Sequence, residues 1–341
     1  MASISTLPLG AIIQSIHISG LNVVQGFDTP EQYQQHNSPY FGETIGRVAN
    51  RIKGACIASL NGQRHALAPN NAPNSLHGGT TGWGKKLWAR VACPAAPRKI
   101  PGVGPLERPE TVVYSLTSDD GDEGFPGAVE VRVIYTSGLQ RVEGREVTVL
   151  AMEYQAELTG GAEETVINMT NHSYFNLAGA PTIEGTQVTL STDQHLPMDA
   201  TGIPTSGPTA HSEVRAHVPF TLGASSPRLD DCFVLDATAA AGSVPLDTRA
   251  EPLRLLVAAR HPASGVSLQV LSTEPAFQFY TGEYVRVPPV GGLPARGARS
   301  GFCCEPGRFV NAVNEEAWRA QVVLGKGQTF GARTVYRAWK D

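Results

Sequence analysis

Short runs of alternating or β-branched residues recur along this 341-residue chain, and sustained helical periodicity is scarce. Most of the runs are bounded by Gly, Pro, Asn or Asp, as strands commonly are. In residues 129–135 (VEVRVIY) apolar and polar side chains alternate, which is the period of a strand with one face on a core. A short helix is expected at residues 30–36, where Asp28 or Thr29 can cap it. Strands are predicted at residues 129–135, 147–158, 166–171, 187–190, 253–258, 266–271, 277–284 and 321–324.

The connections between these strands argue against a doubly wound nucleotide-binding sheet. Such a sheet alternates strands with helices of ~10–15 residues, and no such helices separate the strands here. Gly102-Val103-Gly104 is half of a dinucleotide fingerprint, but no strand precedes it and prolines surround it. The chain has 36 Gly and 25 Pro, and we expect Gly/Pro-rich loops at 94–109 and 286–301 and an Ala-rich connection at 237–241.

The charge balance limits the kinds of partner. Lys plus Arg number 27 and Asp plus Glu number 31, so the net charge is −4, and neither sign forms a long run. This balance argues against nucleic acid or an anionic membrane surface as the main partner. No window reaches the ~18–20 apolar residues that a membrane helix needs.

The cysteine count and the N-terminal residues favour a reducing compartment. Five cysteines are an odd and sparse set for this length, unlike the dense, even set of a disulfide scaffold. Neither a CxxC motif nor a Cys/His cluster supports a structural zinc site. The N-terminal run MASISTLPLGAIIQ lacks the basic region of a signal peptide. We therefore expect a cytoplasmic protein.

Two stretches in the first quarter of the chain carry polar groups that packing alone does not require. Residues 40–52 (YFGETIGRVANRI) hold Arg47 and Arg51 among small and apolar neighbours. These arginines are either solvated on a surface turn or present their planar donors to substrate oxygens. Residues 69–79 (PNNAPNSLHGG) place His77 beside two glycines, which allow close approach of a ligand. A lone loop histidine is more often structural or solvated, so His77 alone is weak evidence of a site.

Two later stretches complete a candidate acid/base set. Residues 168–177 (NMTNHSYFNL) end a strand pattern in a polar cluster around His172, which a satisfied core histidine explains equally well. Residues 301–309 (GFCCEPGRF) place Glu305 on extended backbone before a proline, in a segment that we expect to be buried. Buried carboxylates are rare unless they are paired or functional. A salt-bridged Glu305 is the plain alternative. Two histidines and a carboxylate from distant loops of one sandwich-like fold form a plausible acid/base set.

Together these stretches resemble the aldose 1-epimerase (galactose mutarotase) family, with the motifs in the family's order. Further matches are Trp83 to Trp88, residues 122–127 (DEGFPG), 273–275 (TEP) and 278–282 (QFYTG), so the similarity spans roughly residues 10–338. The resemblance implies an all-β fold: one large antiparallel β-sandwich with few short helices. It implies a single domain over residues 1–341, with loop insertions at 94–109 and 286–301, although length alone suggests two domains at ~150 residues each.

The resemblance also implies the roles of six side chains. Glu305 corresponds to the general base and His172 to the general acid, with His77 near the ring oxygen. The remaining three bind sugar hydroxyls: Arg51, Asp230 and Gln278. The family usually has Tyr-Asp-His-x-Phe where this chain reads Leu229-Asp230-Asp231-Cys232-Phe233, so Asp231 is an alternative to Asp230.

The implied reaction is the interconversion of the α and β anomers of a free aldohexose such as glucose or galactose. The hemiacetal opens when the anomeric hydroxyl loses a proton while the ring oxygen gains one, and reclosure on the other face gives the other anomer. No metal, nucleotide or redox cofactor is needed, and the expected partner is the small-molecule aldose, bound by a monomer or weak homodimer. Ring opening calls for no nucleophilic thiol, so Cys303 and Cys304 are expected to be spectators.

Three other functions compete with this interpretation. A non-catalytic sugar-binding or regulatory protein can share the fold, but it would be expected to lack the base or the acid. A hexose-phosphate 1-epimerase needs a cationic cluster, for which Arg47 and Arg51 are the candidates. A metallohydrolase built on His77, His172 and Glu305 lacks the short ligand spacing of such sites.

Overall fold

Strands dominate the computed structural model, which describes residues 3–92, 99–235 and 244–341. Within them lie one α-helix, α1 (Pro30–His36), and short 3-10 turns at Lys53–Ala55, Trp83–Lys85, Asp122–Gly124, Ala312–Asn314 and Arg319–Gln321. In chain order the strands are β1 (Ser3–Leu7), β2 (Ile12–Ile18), β3 (Leu21–Asn22), β4 (Thr44–Ile45), β5 (Arg51–Ile52), β6 (Cys56–Leu60), β7 (Gln63–Ala66), β8 (Ser75–Leu76), β9 (Ala89–Val91), β10 (Glu107–Ser118), β11 (Ala128–Val142), β12 (Arg145–Gly160), β13 (Glu164–Val166), β14 (Thr170–Asn171), β15 (Tyr174–Phe175), β16 (Gln187–Leu190), β17 (Gln194–His195), β18 (Thr209–Ala210), β19 (Phe220–Thr221), β20 (Asp230–Val234), β21 (Arg254–His261), β22 (Val266–Ser272), β23 (Ala276–Tyr280), β24 (Phe302–Gly307), β25 (Val323–Gly325) and β26 (Thr329–Lys340).

The larger sheet is antiparallel and has nine strands in the order β19-β16-β21-β22-β26-β12-β11-β10-β9. Its inner face follows the alternation seen in the sequence. Val129, Val131 and Val133 of β11 are fully buried, whereas Glu130 and Arg132 form an ion pair on the outer face. The strand prediction for this segment is confirmed.

The second sheet has six strands in the order β15-β24-β23-β20-β17-β18, again antiparallel. Phe277 and Phe279 of β23, with Phe302 and Cys304 of β24, share a core cluster with the valines of the larger sheet. Because side chains alternate along a strand, Gln278, Cys303 and Glu305 point to the opposite face. The two sheets form a β-sandwich, as expected, and the outward face of the smaller sheet carries the candidate site.

Most predicted elements lie where the sequence placed them. Helix α1 begins and ends as predicted, and Thr29 caps it in a reciprocal pair with Gln32. The 286–301 segment has no strand, although Val287 bridges Arg296 and Val290 bridges Leu293. The predicted connection at 237–241 lies outside the described residues, as do residues 94–98 of the first loop. None of the described helices has the length and apolarity that crossing a membrane requires.

Four boundaries were wrong. Pro109 lies inside β10, at a point where the pairing with β11 is irregular and β9 does not pair with the strand. The N–H that proline lacks is therefore not needed for a hydrogen bond to β9. The predicted strand at 166–171 is divided between β13, paired with β25, and β14, paired with β4. The strand predicted to reach residue 284 ends at Tyr280, and the one predicted from residue 321 begins at Val323.

Candidate active site

A cavity of about 690 Å³ opens on the outward face of the smaller sheet. Its wall includes all six side chains that the sequence singled out for the site: Arg51, His77, His172, Asp230, Gln278 and Glu305. These residues come from six separate parts of the chain, and the fold brings them together.

Strand register fixes three of the six. Gln278 pairs with Glu305 across β23 and β24, and with Cys232 across β23 and β20. Asp230 is the first residue of β20 and pairs with Tyr280. The amide of Gln278 donates to Oδ1 of Asp230 at 2.8 Å, which ties the two polar side chains together above the sheet. Gln278 in turn accepts a 3.2 Å hydrogen bond from the amide of Asn50.

His172 lies between β14 and β15, held by its own backbone. Its N–H donates to the carbonyl of Glu43 at 2.9 Å, and its carbonyl accepts from the N–H of Gly42 at 3.0 Å. Nε2 of the imidazole then lies 3.5 Å from Oε1 of Glu305, and both side chains are less than 10% exposed. A donor and an acceptor thus face each other at the wall of the cavity.

Burial shifts the pKa values of this pair toward neutral forms. Desolvation, followed by the negative charge of Asp230, raises the pKa of Glu305 well above its ordinary value, while the Arg51 guanidinium opposes the rise. Desolvation likewise lowers the pKa of His172 to about 3. A carboxylate in this environment is a stronger base than in water, and an imidazolium is a stronger acid.

His77 presents a proton donor to the cavity. The backbone N–H of Asn50 donates to Nδ1 of His77 at 3.2 Å, and burial lowers the pKa of the imidazole well below 6.5. A neutral ring that accepts at Nδ1 carries its hydrogen on Nε2. The ring packs edge-on against His172, with centroids 5.2 Å apart, and against Tyr40 at 4.8 Å.

Arg51 and Arg47 look alike in the sequence but have different roles. Nε of Arg51 donates to Asn71 at 3.0 Å, and its side chain lines the cavity. Arg47 is 1% exposed, and its guanidinium donates to the carbonyls of Ser118, Asp119, Pro126 and Gly127. Arg47 is therefore neither a solvated surface residue nor part of the cavity wall; it joins residues 118–119 to residues 126–127.

Asp230, rather than Asp231, faces the cavity. The cleft walls surround Asp230 while leaving part of it accessible, and this desolvation raises its pKa against the opposing hydrogen bond from Gln278. Asp231 points to the other side of the strand, where Oδ1 lies 3.3 Å from Nδ1 of His195 and Oδ2 lies 3.7 Å from Nε2 of His211. Of the two carboxylates that the sequence left open, Asp230 is the one that lines the cavity, and its contact with a sugar stays a prediction.

Sequence reasoning missed several cavity residues. Asn50 belongs to the 40–52 stretch that the sequence analysis singled out, but its hydrogen bond to Gln278 could be recognised only from the fold. Tyr40 was also in that stretch, and its ring lies 5.8 Å from that of His172. Tyr284 also lines the cavity and is 79% exposed, whereas the sequence placed it at the end of a predicted strand and assigned it no role.

The hydrogen bonds of the histidines indicate whether a metal ion could bind to them. Among the described residues, two groups bring ligand-type atoms within 4.8 Å of one another: His77, His172 and Glu305, and His195, His211 and Asp231. Nδ1 of His77 accepts from Asn50, and Nδ1 of His211 accepts from two backbone N–H groups at 3.1 Å. A neutral imidazole that binds a metal through Nε2 carries its hydrogen on Nδ1, so a metal would break these bonds. Both groups fit hydrogen-bonded clusters better than metal sites.

Comparison with known proteins gives a consistent result. The family model for aldose 1-epimerases matches residues 1–337. A galactose mutarotase from Sus scrofa is 35% identical over 92% of this chain and 82% of its own length. The bifunctional protein GAL10 of Pachysolen tannophilus is 36% identical over 96% of this chain, which spans only 44% of that protein's length.

Solved structures share the fold. The GalM/aldose epimerase homologue from C. elegans superposes with a TM-score of 0.80 at 22% identity, covering 99% of this chain and 96% of that one. The galactose 1-epimerase from Lactobacillus acidophilus gives a TM-score of 0.76 at 20% identity, covering 99% and 91%. With the fold shared and the family model matched over nearly the whole sequence, the chain belongs to the aldose 1-epimerase family.

Proposed function

We propose that this chain is an aldose 1-epimerase that interconverts the α and β anomers of a free aldohexose such as glucose or galactose. The observation that carries the proposal is the 3.5 Å approach of Nε2 of His172 to Oε1 of Glu305 at the wall of a cavity of about 690 Å³. A pyranose places its anomeric hydroxyl and its ring oxygen on the same carbon, so an acid and a base must be this close to act on both.

The chemistry proceeds by a proton exchange at two adjacent oxygens. Glu305 takes the proton of the anomeric hydroxyl while Nε2 of His172 gives one to the ring oxygen, and the ring C–O bond breaks to leave an aldehyde. Rotation about the C1–C2 bond turns the other face of the carbonyl inward. Reclosure with reversed roles forms the opposite anomer. Protons balance over the cycle, and each positioned group is worth ~10²–10⁴ in rate.

Burial favours this exchange. A charged pair of imidazolium and carboxylate is disfavoured in the enclosed site, as the directions of both pKa shifts indicate. Passing the protons to and from the sugar leaves both side chains neutral. Once Nε2 of His172 carries the proton and Glu305 does not, burial favours the exchange with the sugar that returns both side chains to their neutral forms.

The other polar side chains supply orientation. Asp230 and Gln278, joined by a 2.8 Å hydrogen bond, offer acceptors and donors to the hydroxyls of the sugar. Arg51 and His77 line the same cavity and offer further donors, with His77 proposed to act near the ring oxygen. Aldehyde and hydroxyl groups bound in this way hold the open chain while it rotates.

The alternatives have less support. Arg47 is buried and both of its terminal nitrogens donate to protein oxygens, so one of the two arginines considered for binding a phosphate is not accessible to it. A purely sugar-binding protein has no need for a buried acid and base in contact. Among the described residues, four cysteines are free and buried, which fits a cytoplasmic location. The proposal includes that location and a monomeric or weakly dimeric state.

Polarimetry tests the activity. Freshly dissolved α-D-glucose and α-D-galactose should approach their equilibrium rotation faster with the protein than without it, at a rate proportional to protein concentration. Methyl α-D-glucoside cannot open its ring and is the control, because its rotation should stay constant. If the protein left the mutarotation rate of every free aldose tested unchanged, the proposal would be contradicted.

A further inference from the structure

The two nitrogens of His172 have different neighbours. Nε2 faces Glu305 and the cavity, whereas Nδ1 lies 3.6 Å from Sγ of Cys303, within hydrogen-bond range for sulfur. Cys303 is fully buried and belongs to the same strand as the base, two residues before it. Cys303 was expected to be a spectator, yet the fold brings its thiol to the proposed acid.

Strand alternation explains why Cys303 and not Cys304 makes the contact. Cys303 shares a face of β24 with Glu305, while Cys304 points into the core cluster between the sheets. Tyr174 pairs with Cys303 across the strands. The Tyr174 ring also stacks on His172, with centroids 5.0 Å apart and planes 21° apart. Cys303 at Nδ1 and the face of the Tyr174 ring thus both contact the imidazole.

The proton exchange requires the two nitrogens to behave differently. An imidazolium that gives its Nε2 proton to the ring oxygen keeps the other proton on Nδ1, and Nε2 must then be bare to take the proton back when the ring closes. A neutral imidazole can otherwise move its proton to Nε2, which would leave no acceptor for the return step. A group that accepts from Nδ1–H prevents that exchange.

We propose that Cys303 is a positioning residue for His172, whose sulfur accepts the Nδ1 hydrogen and so reserves Nε2 for proton exchange with the sugar's ring oxygen. The inference rests on the proposed function for its kinetic consequence, but the state of the ring can be measured without any reaction. No bond to sulfur forms or breaks, and Cys303 remains a thiol throughout.

A neutral partner suits this histidine better than a carboxylate would. Burial, followed by the negative charge of Glu305, raises the pKa of Cys303 well above that of a free thiol, so the sulfur carries no charge. An anionic partner at Nδ1 would stabilise the imidazolium and weaken it as an acid. Sulfur orients the ring and leaves the acid strong.

Three variants test the kinetic consequence. Cys303→Ala removes the acceptor, Cys303→Ser replaces it with a hydroxyl oxygen, and Cys304→Ala is a control of equal size in the same strand that does not touch His172. We expect kcat to fall about 3- to 10-fold in Cys303→Ala with KM within twofold, since a sulfur hydrogen bond is weak and a tenfold change corresponds to about 1.4 kcal/mol. Cys303→Ser should recover most of the loss, and Cys304→Ala should stay within twofold of the unmodified protein.

A spectroscopic measurement separates positioning from simple packing. Two-bond ¹H–¹⁵N correlation spectra of the labelled, full-length protein report which nitrogen of each neutral histidine is protonated, and His172→Gln identifies the signal. We expect His172 to be protonated on Nδ1 in the unmodified protein and in Cys303→Ser, with an increased Nε2-protonated fraction in Cys303→Ala. An Nε2-protonated ring in the unmodified protein, or a Cys303→Ala variant that matches Cys304→Ala in both kinetics and tautomer, would overturn the inference. An inactive unmodified protein would instead count against the proposed function, while the tautomer would still decide the role of Cys303.

Discussion

Asp230 and Asp231 are consecutive in one strand and face opposite sides of it. Asp230 lines the cavity and accepts from the amide of Gln278, whereas Asp231 lies between the imidazoles of His195 and His211. The rings of these two histidines are 4.6 Å apart and nearly perpendicular. One acidic dipeptide therefore serves the cavity on one side and the packing of β17 and β20 on the other, which leads to contrasting expectations for the two residues.

Asparagine at each position should separate these roles. Asp230→Asn removes a charged acceptor for sugar hydroxyls, so KM should rise roughly 10-fold or more with a smaller change in kcat. Asp231→Asn should change kcat/KM less than threefold and lower the free energy of unfolding by about 1 kcal/mol. Kinetics and urea unfolding of both variants decide; equal losses of sugar binding would show that Asp231 also serves the site.

The stability effect of Asp231 should depend on pH. Burial alone would raise the pKa of Asp231, but the hydrogen bond and charge of His211 outweigh it and leave the pKa below its usual value. A carboxyl with a lowered pKa stabilises the fold above its unfolded pKa of ~3.9, and this contribution is lost as pH falls through the folded value. The deficit of Asp231→Asn should thus be complete at neutral pH and shrink below about pH 4.

Removing the base should remove most of the catalysis. Glu305→Gln keeps the shape of the side chain but takes no proton, so kcat should fall by ~10²-fold or more while sugar still binds. His172→Gln should have a similar effect through loss of the donor to the ring oxygen. Both variants need a check of folding by circular dichroism. Turnover of folded Glu305→Gln near that of the unmodified protein would dismiss Glu305 as the base.

Metal removal should have no effect on the reaction. His77 uses Nδ1 to accept from the backbone of Asn50, which does not suit a ligand bound through Nε2. We therefore expect prior treatment with EDTA, followed by gel filtration, to leave the polarimetric rate unchanged. Loss of activity that returned on adding a divalent cation would contradict the metal-free mechanism.

The sequence predicted local structure well wherever side-chain period alone decides it. The valine alternation of β11 and the capped first turn of α1 are local features, and both were confirmed. The strand predicted to reach residue 284 was too long because backbone conformation breaks it. Gly282 has φ +81° and comes so close to the carbonyl of Gly301 that a Cβ there would lie 2.2 Å from the oxygen. Periodicity does not detect such a turn.

The site shows the same division between local and tertiary information. Arg47 and Arg51 belong to one motif, and only the fold reveals that Arg47 is enclosed by backbone carbonyls while Arg51 reaches the cavity. The contact between Cys303 and His172 joins residues 131 apart in sequence, so no local pattern could predict it. Residue types at a site can be recognised from motifs, but their pairing depends on strand register.

A motif residue outside the cavity should matter for stability instead. Glu274, from the Thr-Glu-Pro match, forms an ion pair of 2.8 Å with Arg308, and both side chains are at most 1% exposed. Glu274→Gln leaves the buried guanidinium without its counter-charge, which should cost about 3–5 kcal/mol of unfolding free energy. The matched control is Glu130→Gln, which breaks an exposed pair with Arg132 and should cost no more than about 1 kcal/mol. Similar urea midpoints for the two variants would contradict this role of Glu274.

The pH dependence of activity tests the electrostatics of the cavity. Burial and the charge of Asp230 raise the pKa of Glu305, and the charge of Arg51 lowers it. The active form holds one proton on the pair, on Nε2 of His172, while Glu305 is deprotonated, so kcat/KM should fall as pH rises through the higher of the two pKa values, that of Glu305. This alkaline limb should lie above the ~4.3 of an ordinary glutamate.

Two charge-removing variants should shift this limb in opposite directions. Asp230→Asn removes a negative charge beside Glu305, which eases ionisation of the carboxyl, so the limb should move to lower pH. Arg51→Gln removes a positive charge that stabilises the carboxylate, so the limb should move to higher pH. Glu130→Gln, on the outer face of the larger sheet, should leave the limb in place. The measurement is kcat/KM by polarimetry over roughly pH 4–9, which reports the pKa of the free enzyme. Shifts of the same sign in Asp230→Asn and Arg51→Gln would show that a group other than Glu305 sets the limb.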